Sequence, residues 1–293
     1  MCMAWKKGNR LPIVQVGEAA GRTAEIFSEV KAAFGIAYVP LCFQAFAAYP
    51  EFLEVQWRTM KPLLGTREFF ELAARLRAEA YTYVHNYFKV SALGDGLTAA
   101  NALSVTDLLC YVDAATLLLL AVQLQAFDGA VGEASSSPHP ADRISFSALP
   151  EFVDVENAPA PIKRVADEMR LAFELPFSGD EQRALARWPE LFFSYWHALK
   201  PAVQSVFHEQ AVFRIRESAW SCAPEIPLSI EMEYARLQEA GVSADDIATV
   251  TRLTELLVRG AAVGLLNETF AKIGLEGGNH EVSSAHADQE RVA

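Results

Sequence analysis

Apolar residues recur along this chain at the three- and four-residue spacing of amphipathic helices. Ala24, Phe27, Val30 and Phe34 follow this spacing, and residues 69–80 show it again. No segment shows a convincing alternation of apolar and polar residues, which is the pattern of a half-buried strand. The pattern therefore predicts an all-α protein built from helical bundles.

The helical pattern occurs twice along the chain. When the sequence is shifted by 139 positions, residues 25–81 align without a gap on residues 164–220, and 13 of the 57 aligned positions are identical. The same offset pairs Ser104 with Ser243. A repeat of this length predicts two similar halves related by a pseudo-two-fold axis, with a site between them.

Four prolines and two serines predict helix ends. Pro50 and Pro189 suit the first turn of a helix, and each is followed by a glutamate that favours this end. Twelve positions later, a second proline in each half, at 62 and 201, is expected to close that helix. Ser104 and Ser243, each with an aspartate three residues on, are expected to cap a further helix in each half.

Composition divides the chain into four segments. Residues 130–161 contain three consecutive serines, five prolines and little periodicity, which is typical of a linker. Residues 277–293 are polar and aperiodic and are predicted to form a disordered tail. The remaining segments, 1–129 and 162–276, are the two predicted repeats, each a bundle of about five helices.

Charge and cysteine content narrow the class of protein. The net charge of −12 argues against nucleic-acid binding, which needs clustered Lys and Arg. The four cysteines share no short spacing, so neither a disulfide framework nor a zinc site is predicted. The longest apolar run, 114–122, is about half a membrane span and is interpreted as a core helix. We expect a cytoplasmic protein without a signal peptide, and a homodimer is an open alternative.

The connection after the first helix differs between the halves. Residues 36–43 (IAYVPLCF) are apolar, whereas the aligned residues 175–182 (LPFSGDEQ) contain Asp180 and Glu181. If the halves face each other, one wall of the site is apolar and the other acidic, as in many small-molecule sites. The same segment also fits an ordinary helix start with Ser178 or Asp180 as the cap, and the two interpretations are compatible.

No metal or organic cofactor is predicted. The six histidines lack the paired spacing of metal ligands, and two of them fall in the predicted tail. Glycine-rich phosphate loops and a Gly-x-Ser-x-Gly elbow are absent from the sequence.

Several motifs resemble one family. Ala-Leu-Ala-Arg-Trp-Pro-Glu at 184–190, its copy Ala-Phe-Ala-Ala-Tyr-Pro-Glu at 45–51, and the Leu-Pro…Val-x-Val openings at 11–16 and 149–155 resemble the group I 2-haloacid dehalogenases. These DehI-like enzymes act on both D- and L-2-haloacids. The resemblance implies two helical repeats with the active site at their interface. It also implies hydrolysis of the carbon–halogen bond without a cofactor, by a water that an aspartate activates for direct attack on C2.

The resemblance also implies site residues. The family's catalytic Ser-Asp pair precedes the Trp-Pro block, which places Asp180 at the serine and Glu181 at the aspartate. A shift of one residue would make Asp180 the base instead. The substrate-binding residues implied in the same way are Tyr38, Leu41, Phe177, Ser178 and, at the position of the family's asparagine, Asp113 or Ala114.

A wider likeness extends to the alkylhydroperoxidase-D and carboxymuconolactone decarboxylase superfamily, through Arg-Glu-Ser-Ala at 216–219 and Ala-Gly-Val-Ser at 240–243. The peroxidases of that group need a Cys-x-x-Cys, whereas Cys222 stands alone here, so thiol peroxidase chemistry is not expected. We predict a hydrolase that removes halogen from small 2-haloalkanoic acids. The alternative is a diverged family member that binds or transforms another small apolar acid, or a non-enzymatic scaffold.

Overall fold

The computed structural model describes residues 11–279 except 95, 134–137, 142–145 and 147. The described part of the chain contains no β-strand, and its two isolated β-bridges join Thr66 to Pro140 and Val131 to Ile230. The prediction of an all-α protein is confirmed. The helices are α1 (Gly21–Phe34), α2 (Leu41–Phe46), α3 (Pro50–Met60), α4 (Arg67–Tyr87), α5 (Gly96–Ala126), α6 (Ala160–Phe173), α7 (Asp180–Leu185), α8 (Pro189–Val203), α9 (Val206–Cys222), α10 (Tyr234–Glu239) and α11 (Ala244–Leu275), with 3-10 helices at Lys61–Gly65 and Ala223–Glu225.

Helices α5 and α11 form the centre of the molecule. They make the most extensive helix–helix contact, and α4 and α9 pack against both. Helix α5 is long and apolar enough to cross a membrane, with a mean hydropathy of 1.9 over 18 residues, but 89% of that window is buried inside the protein. A helix that is apolar on all sides and covered by others is a core helix, which agrees with the interpretation of residues 114–122.

Several helix bounds follow the 139-residue offset. Helices α1 and α6 each have 14 residues, α2 and α7 each have six, and the members of each pair begin 139 positions apart. Backbone hydrogen bonds follow the same offset. The Val14 N–H donates to the Gln44 carbonyl, and the Val153 N–H donates to the Arg183 carbonyl.

The structure confirms several predicted helix ends and corrects three others, at Ser104, at Pro201 and at the start of α7. Ser104 lies inside α5, where its hydroxyl donates to the Ala100 carbonyl, because the helix begins at Gly96. Ser243 does cap α11, accepting the Asp246 N–H. Pro50 and Pro189 occupy first turns as predicted, and a 3-10 helix replaces α3 before Pro62.

Pro201, in contrast, lies inside α8, which continues for two residues beyond it. Neither Ser178 nor Asp180 caps α7. Gly179 is the residue that precedes its first turn, and no side chain caps that helix, because Asp180 is already its first helical residue.

Parts of the predicted linker (134–137, 142–145 and 147) and of the predicted tail (280–293) lie outside the described residues. The first three residues of the predicted tail are described. The Gly278 N–H donates to the Ile273 carbonyl, and the Asn279 side chain accepts the Val90 N–H and donates to the Phe88 carbonyl. These bonds tie the end of α11 to the segment that follows α4.

Candidate active site between α2, α5, α7 and α11

A cavity lies where the N-terminal ends of α2 and α7 meet the middle of α5 and α11. We call it the central cavity. Its volume is about 40 Å³, and since one water needs roughly 10–15 Å³ it holds about three waters or a ligand of a few heavy atoms. Its apolar lining consists of Pro40, Leu41, Leu120, Phe177, Leu257 and Ala261. Its polar lining consists of Cys42, Asp113, Thr116, Asp180 and Glu181.

Three glycines make room in the walls of the central cavity. A Cβ atom on Gly179 would lie 2.4 Å from Oε2 of Glu181, so this carboxyl group folds back over the start of α7. On α11, a Cβ on Gly260 would lie 2.6 Å from the Phe177 ring, and one on Gly264 would lie 2.5 Å from Oδ2 of Asp113. Since real Cβ atoms do not approach so closely, larger residues here would move the cavity-lining side chains.

Asp180 connects α7 to α2. Its Oδ2 accepts the Leu41 N–H at 3.3 Å, and its Oδ1 lies 3.2 Å from the Arg183 guanidinium. Burial raises the pKa of Asp180, while Arg183 and the Leu41 N–H oppose this shift because they favour the charged form. Arg183 in turn lies over the Phe152 ring. Both oxygens of Asp180 therefore already have protein partners.

Glu181 has a different environment from its neighbour. Its side chain is 2% exposed, and burial raises the pKa of its carboxyl to about 7. Its Oε1 has no hydrogen-bond partner among the described residues. A buried carboxylate with a free oxygen and a pKa near neutrality is suited to accept a proton from a bound water.

Asp113 and Glu268 form a second acidic group, which we call the acid pair. Asp113 projects from α5 into the central cavity, and Glu268 is a fully buried residue of α11. The two carboxyls are close neighbours, because a Cβ atom on Gly264 would lie 2.5 Å from Oδ2 of Asp113 and 3.9 Å from Oε1 of Glu268. Neither oxygen of Glu268 has a hydrogen-bond partner among the described residues. Two carboxyls can share a hydrogen bond only if one is protonated. Burial, followed by the neighbouring acids, raises the pKa of both groups well above the ordinary range.

The structure brings five predicted site residues to the central cavity: Leu41, Asp113, Phe177, Asp180 and Glu181. Of the two positions considered for the family's asparagine, Asp113 lines the cavity, while Ala114 is buried on another side of α5. Tyr38 and Ser178 are buried but are not among the lining residues. Their hydroxyl groups have no partner among the described residues.

The acidic residues of the cavity come from both halves of the chain, so the expectation of one apolar and one acidic wall is wrong. Asp113 belongs to the first half, and it reaches the cavity because α5 crosses the centre of the molecule. Sequence reasoning missed Glu268. Its position one turn after Gly264 on an apolar stretch of α11 was the available signal.

The described residues also show whether metal-binding groups or reactive thiols are present. Within the described ranges, no group of three or more His, Cys, Asp and Glu side chains is arranged to hold a metal ion. Cys42, Cys110 and Cys222 are buried free thiols, and burial raises the pKa of each of them. A thiol with a raised pKa is a weak nucleophile at neutral pH.

Comparisons with known proteins agree with this architecture. A family profile described as "Halocarboxylic acid dehydrogenase DehI" matches residues 37–182. An (R)-2-haloacid dehalogenase of Pseudomonas putida is 24% identical over 266 residues, which cover 85% of this chain and 87% of that protein. An (R)-2-haloacid dehalogenase of Rhizobium sp. (strain NHG3) is 22% identical over 232 residues, which cover 74% of this chain and 90% of that protein.

Solved structures show the same fold. A structure described as the complex of D-2-haloacid dehalogenase with L-LA has a TM-score of 0.85 and 22% identity, and the match covers 90% of this chain and 96% of that one. A mutant of D-2-haloacid dehalogenase in complex with D-2-CPA has the same TM-score, identity and coverage. The profile match extends from the second residue of the apolar segment (36–43) to the last residue of the acidic segment (175–182). The chain belongs to the DehI family.

Proposed function

We propose that this protein hydrolyses the carbon–halogen bond of small 2-haloalkanoic acids. The observation behind this proposal is a buried carboxyl, Glu181, with a pKa of about 7 and a free oxygen in a cavity of a few heavy atoms. Glu181 takes a proton from water while the water oxygen forms a bond to C2. The carbon–halogen bond breaks, the halide leaves with the electron pair, and C2 is inverted.

Glu181 is a better candidate for the base than Asp180. The carboxylate of Asp180 already accepts the Leu41 N–H and pairs with Arg183, so a proton on it would displace these partners. Glu181 has a free oxygen, and a base is most effective when its pKa lies near the working pH. In this proposal Asp180 fixes the start of α7, and Glu181 performs the proton transfer.

The apolar lining supports displacement at carbon. Leu41 and Phe177 face the cavity from opposite halves of the chain, and Leu120 and Leu257 extend the apolar wall. These side chains suit the alkyl part of a small acid and the halogen, and they limit the access of bulk water.

We also infer that the two halves are copies of one unit related by a pseudo-two-fold axis. Support comes from the shared helix bounds and from identical side-chain bonds at the 139-residue offset. In one half a tryptophan and a lysine both donate to a glutamate (Trp57, Lys61 and Glu29), and the same three residue types do so in the other half (Trp196, Lys200 and Glu168). Leu41 and Asp180 are equivalent positions of the two units, and the hydrogen bond between them joins the two copies at the cavity.

The test is halide release from D- and L-2-chloropropionate by the purified protein, with EDTA present. Wild type is expected to release halide, Glu181→Gln to lose nearly all activity, and Asp180→Asn to keep a measurable fraction. Removal of a general base typically lowers the rate by about 10²–10⁴-fold. If Asp180→Asn abolishes release while Glu181→Gln remains active, Asp180 is the base.

A folded wild-type protein that releases no halide from either enantiomer would contradict the proposal. In that case, binding of propionate would support a diverged member that acts on another small acid, and its absence would support a scaffold role. Loss of activity in EDTA, with recovery on adding a metal ion, would contradict the proposed hydrolysis without a cofactor.

A further inference from the structure

The acid pair is an unusual feature for a cavity that is proposed to bind an anion. Asp113 lines the cavity on the side of α5, and Glu268 lies behind it on α11 without any other hydrogen-bonding partner among the described residues. A fully buried carboxyl that only packs between helices is unfavourable, because an apolar residue of similar size would avoid the desolvation. The proposed proton transfer to Glu181 does not use the acid pair.

We propose that the acid pair binds the carboxylate of the substrate, with Asp113 as a protonated hydrogen-bond donor to a carboxylate oxygen and Glu268 as its positioning residue. The inference rests on the proposed function for the class of ligand, a small monocarboxylate. None of the lining residues within the described part of the chain is Lys, Arg or His, so no cationic side chain lines the cavity to neutralise a bound carboxylate. The nearby Arg183 is already paired with Asp180.

The acidic lining of this cavity opposes the binding of an anionic ligand. Like charges repel strongly at the short distances found in a buried cavity, and the cavity contains Asp180 and Glu181 in addition to Asp113. A protonated carboxyl removes one of these charges and supplies a strong donor to an oxyanion. The Asp113 carboxyl therefore attracts the substrate carboxylate when it is protonated, whereas it would repel it when ionised.

The surroundings of the acid pair keep a proton there. Besides burial, the outside groups that raise the pKa of its two members are acids, namely Asp180 and Glu181 from α7 and Cys110 from α5. The acid pair in turn raises the pKa of its neutral neighbours Tyr38 before α2, Cys42 from α2 and Tyr195 from α8. No cation is among the groups that shift either pKa.

The lack of a side chain at Gly264 makes room for the Asp113 carboxyl. The Oδ2 atom of Asp113 occupies space next to the Cα of Gly264 that any side chain would fill, and this glycine is four residues before Glu268 on α11. The helix therefore presents a gap for one carboxyl and a partner for it one turn later. This arrangement directs the Asp113 carboxyl between Glu268 and the cavity.

A pH dependence of binding follows from this role. The carboxylate ligand binds the protonated acid pair, so binding takes up a proton once the pair has ionised. Affinity should then fall by about tenfold per pH unit above the pKa of the free acid pair, as linkage requires for one proton. Ionised Glu181 would add a similar repulsion, so the test removes this charge first.

The test measures propionate binding to Glu181→Gln by calorimetry from pH 5 to pH 9, in two buffers with different ionisation enthalpies. We expect affinity to fall by about tenfold per pH unit wherever the pH exceeds the pKa of the free acid pair, with net proton uptake over the same part of the range. In Glu181→Gln/Asp113→Asn the amide donates without a titrating proton, so affinity should change by less than about threefold and proton uptake should disappear. In Glu181→Gln/Asp113→Leu, binding should be at least about tenfold weaker at pH 5.

Propionamide, the neutral analogue of propionate, is the matched control and should show no alkaline fall in affinity. A fall in propionate affinity without proton uptake, or an unchanged pH slope in the Asp113→Asn variant, would overturn the inference. Equal affinity in the Asp113→Leu variant would overturn it as well. This test measures ligand binding, whereas the dehalogenase proposal is tested by halide release. Failure of one can therefore be told apart from failure of the other. Proton uptake is measured on Glu181→Gln, in which both residues of the acid pair are unaltered. This part of the test therefore does not depend on whether the Asp113 variants fold.

Discussion

At the scale of single residues, neighbouring acids have different properties because their partners differ. Asp180 and Glu181 are adjacent, and both are buried. Asp180 receives an N–H and a guanidinium, whereas one oxygen of Glu181 is free and its pKa is about 7. Separate environments for two carboxyls are how one site combines a structural anion with a proton acceptor.

The buried carboxyl of Glu181 should lower stability as pH rises. Its folded pKa of about 7 is above the ordinary value of 4.5, so its effect appears as pH rises through this interval. The interval corresponds to about 3 kcal/mol. Glu181→Gln should therefore increase the free energy of unfolding by up to about 3 kcal/mol more at pH 8 than at pH 4.5, as measured by urea denaturation.

Asp180→Asn provides the control for this measurement. That variant also removes a buried charge, but Arg183 and the Leu41 N–H favour the charged form of Asp180, so its effect should differ less between pH 8 and pH 4.5 than the effect of Glu181→Gln. An equal effect of Glu181→Gln at both pH values would contradict the raised pKa and weaken the assignment of Glu181 as the base.

At the scale of elements, α11 combines a packing surface with a wall of the cavity. Gly260, Ala261 and Gly264 line the cavity on one face of this helix, and Glu268 follows on the same face. Glycine lowers helix stability by about 1 kcal/mol relative to alanine. The two glycines are explained by their contacts, since the Phe177 ring and the Asp113 carboxyl occupy the space that a Cβ would need.

Gly264→Ala should change the site while preserving the fold. The new methyl group would lie 2.5 Å from Oδ2 of Asp113 and push that carboxyl away from its position, whereas the gain in helix propensity offsets part of the overpacking of about 1–3 kcal/mol. We expect at least a tenfold loss of halide release, in line with the effect of about 1 Å displacements on catalysis. The circular dichroism spectrum should remain helical.

Gly65→Ala is the matched control, because a Cβ there meets no atom within 4 Å. It should retain wild-type activity and melting temperature within error. Full activity in Gly264→Ala would show that the position of the Asp113 carboxyl is unimportant for the reaction.

At the scale of the whole molecule, acids on the surface and acids in the centre have opposite effects on stability. Glu29 and Glu68 are partly exposed, and hydrogen bonds, chiefly from Lys61 and His139, lower the pKa of each to about 2. Burial has the reverse effect on Glu181 and the acid pair. The net charge of −12 adds self-repulsion as pH rises.

The protein should therefore be most stable near pH 5. Lowered pKa values give stability that is present above the unfolded value of 4.5 and lost as pH falls towards 2. Raised pKa values give stability that is present below the unfolded value and lost as pH rises through 7 and beyond. Melting temperatures from pH 3 to pH 9 test this, and a maximum at pH 7.5 or above would contradict it.

Much of the fold could be predicted from local patterns. Apolar spacing predicted the helices, Pro50 and Pro189 marked their first turns, and Ser243 marked a cap, because each depends on residues within one or two turns. Predictions failed where distant packing decides. Ser104 has the same local pattern as Ser243, yet it lies inside α5, since the core stabilises a longer helix there.

The residues of the candidate site also differ in whether the sequence alone could predict them. The 139-residue comparison indicated Asp180 and Glu181 as chemistry-bearing residues, and the resemblance to the family indicated Asp113. Nothing in the local sequence indicated that Glu268 is the partner of Asp113, because the two residues are 155 positions apart. Their pairing requires α5 and α11 to cross at the centre of the molecule, with Gly264 at the point of contact.

The sequence by itself determined the helical class, the helix starts at Pro50, Pro189 and Ser243, and the acidic segment at the start of α7, because these depend on neighbours along the chain. The tertiary structure decided which carboxyls are buried, which have partners and which lie next to another carboxyl. The physical reason is that desolvation and charge–charge interactions depend on what surrounds a group in space, and in this protein that environment is assembled from helices distant in sequence.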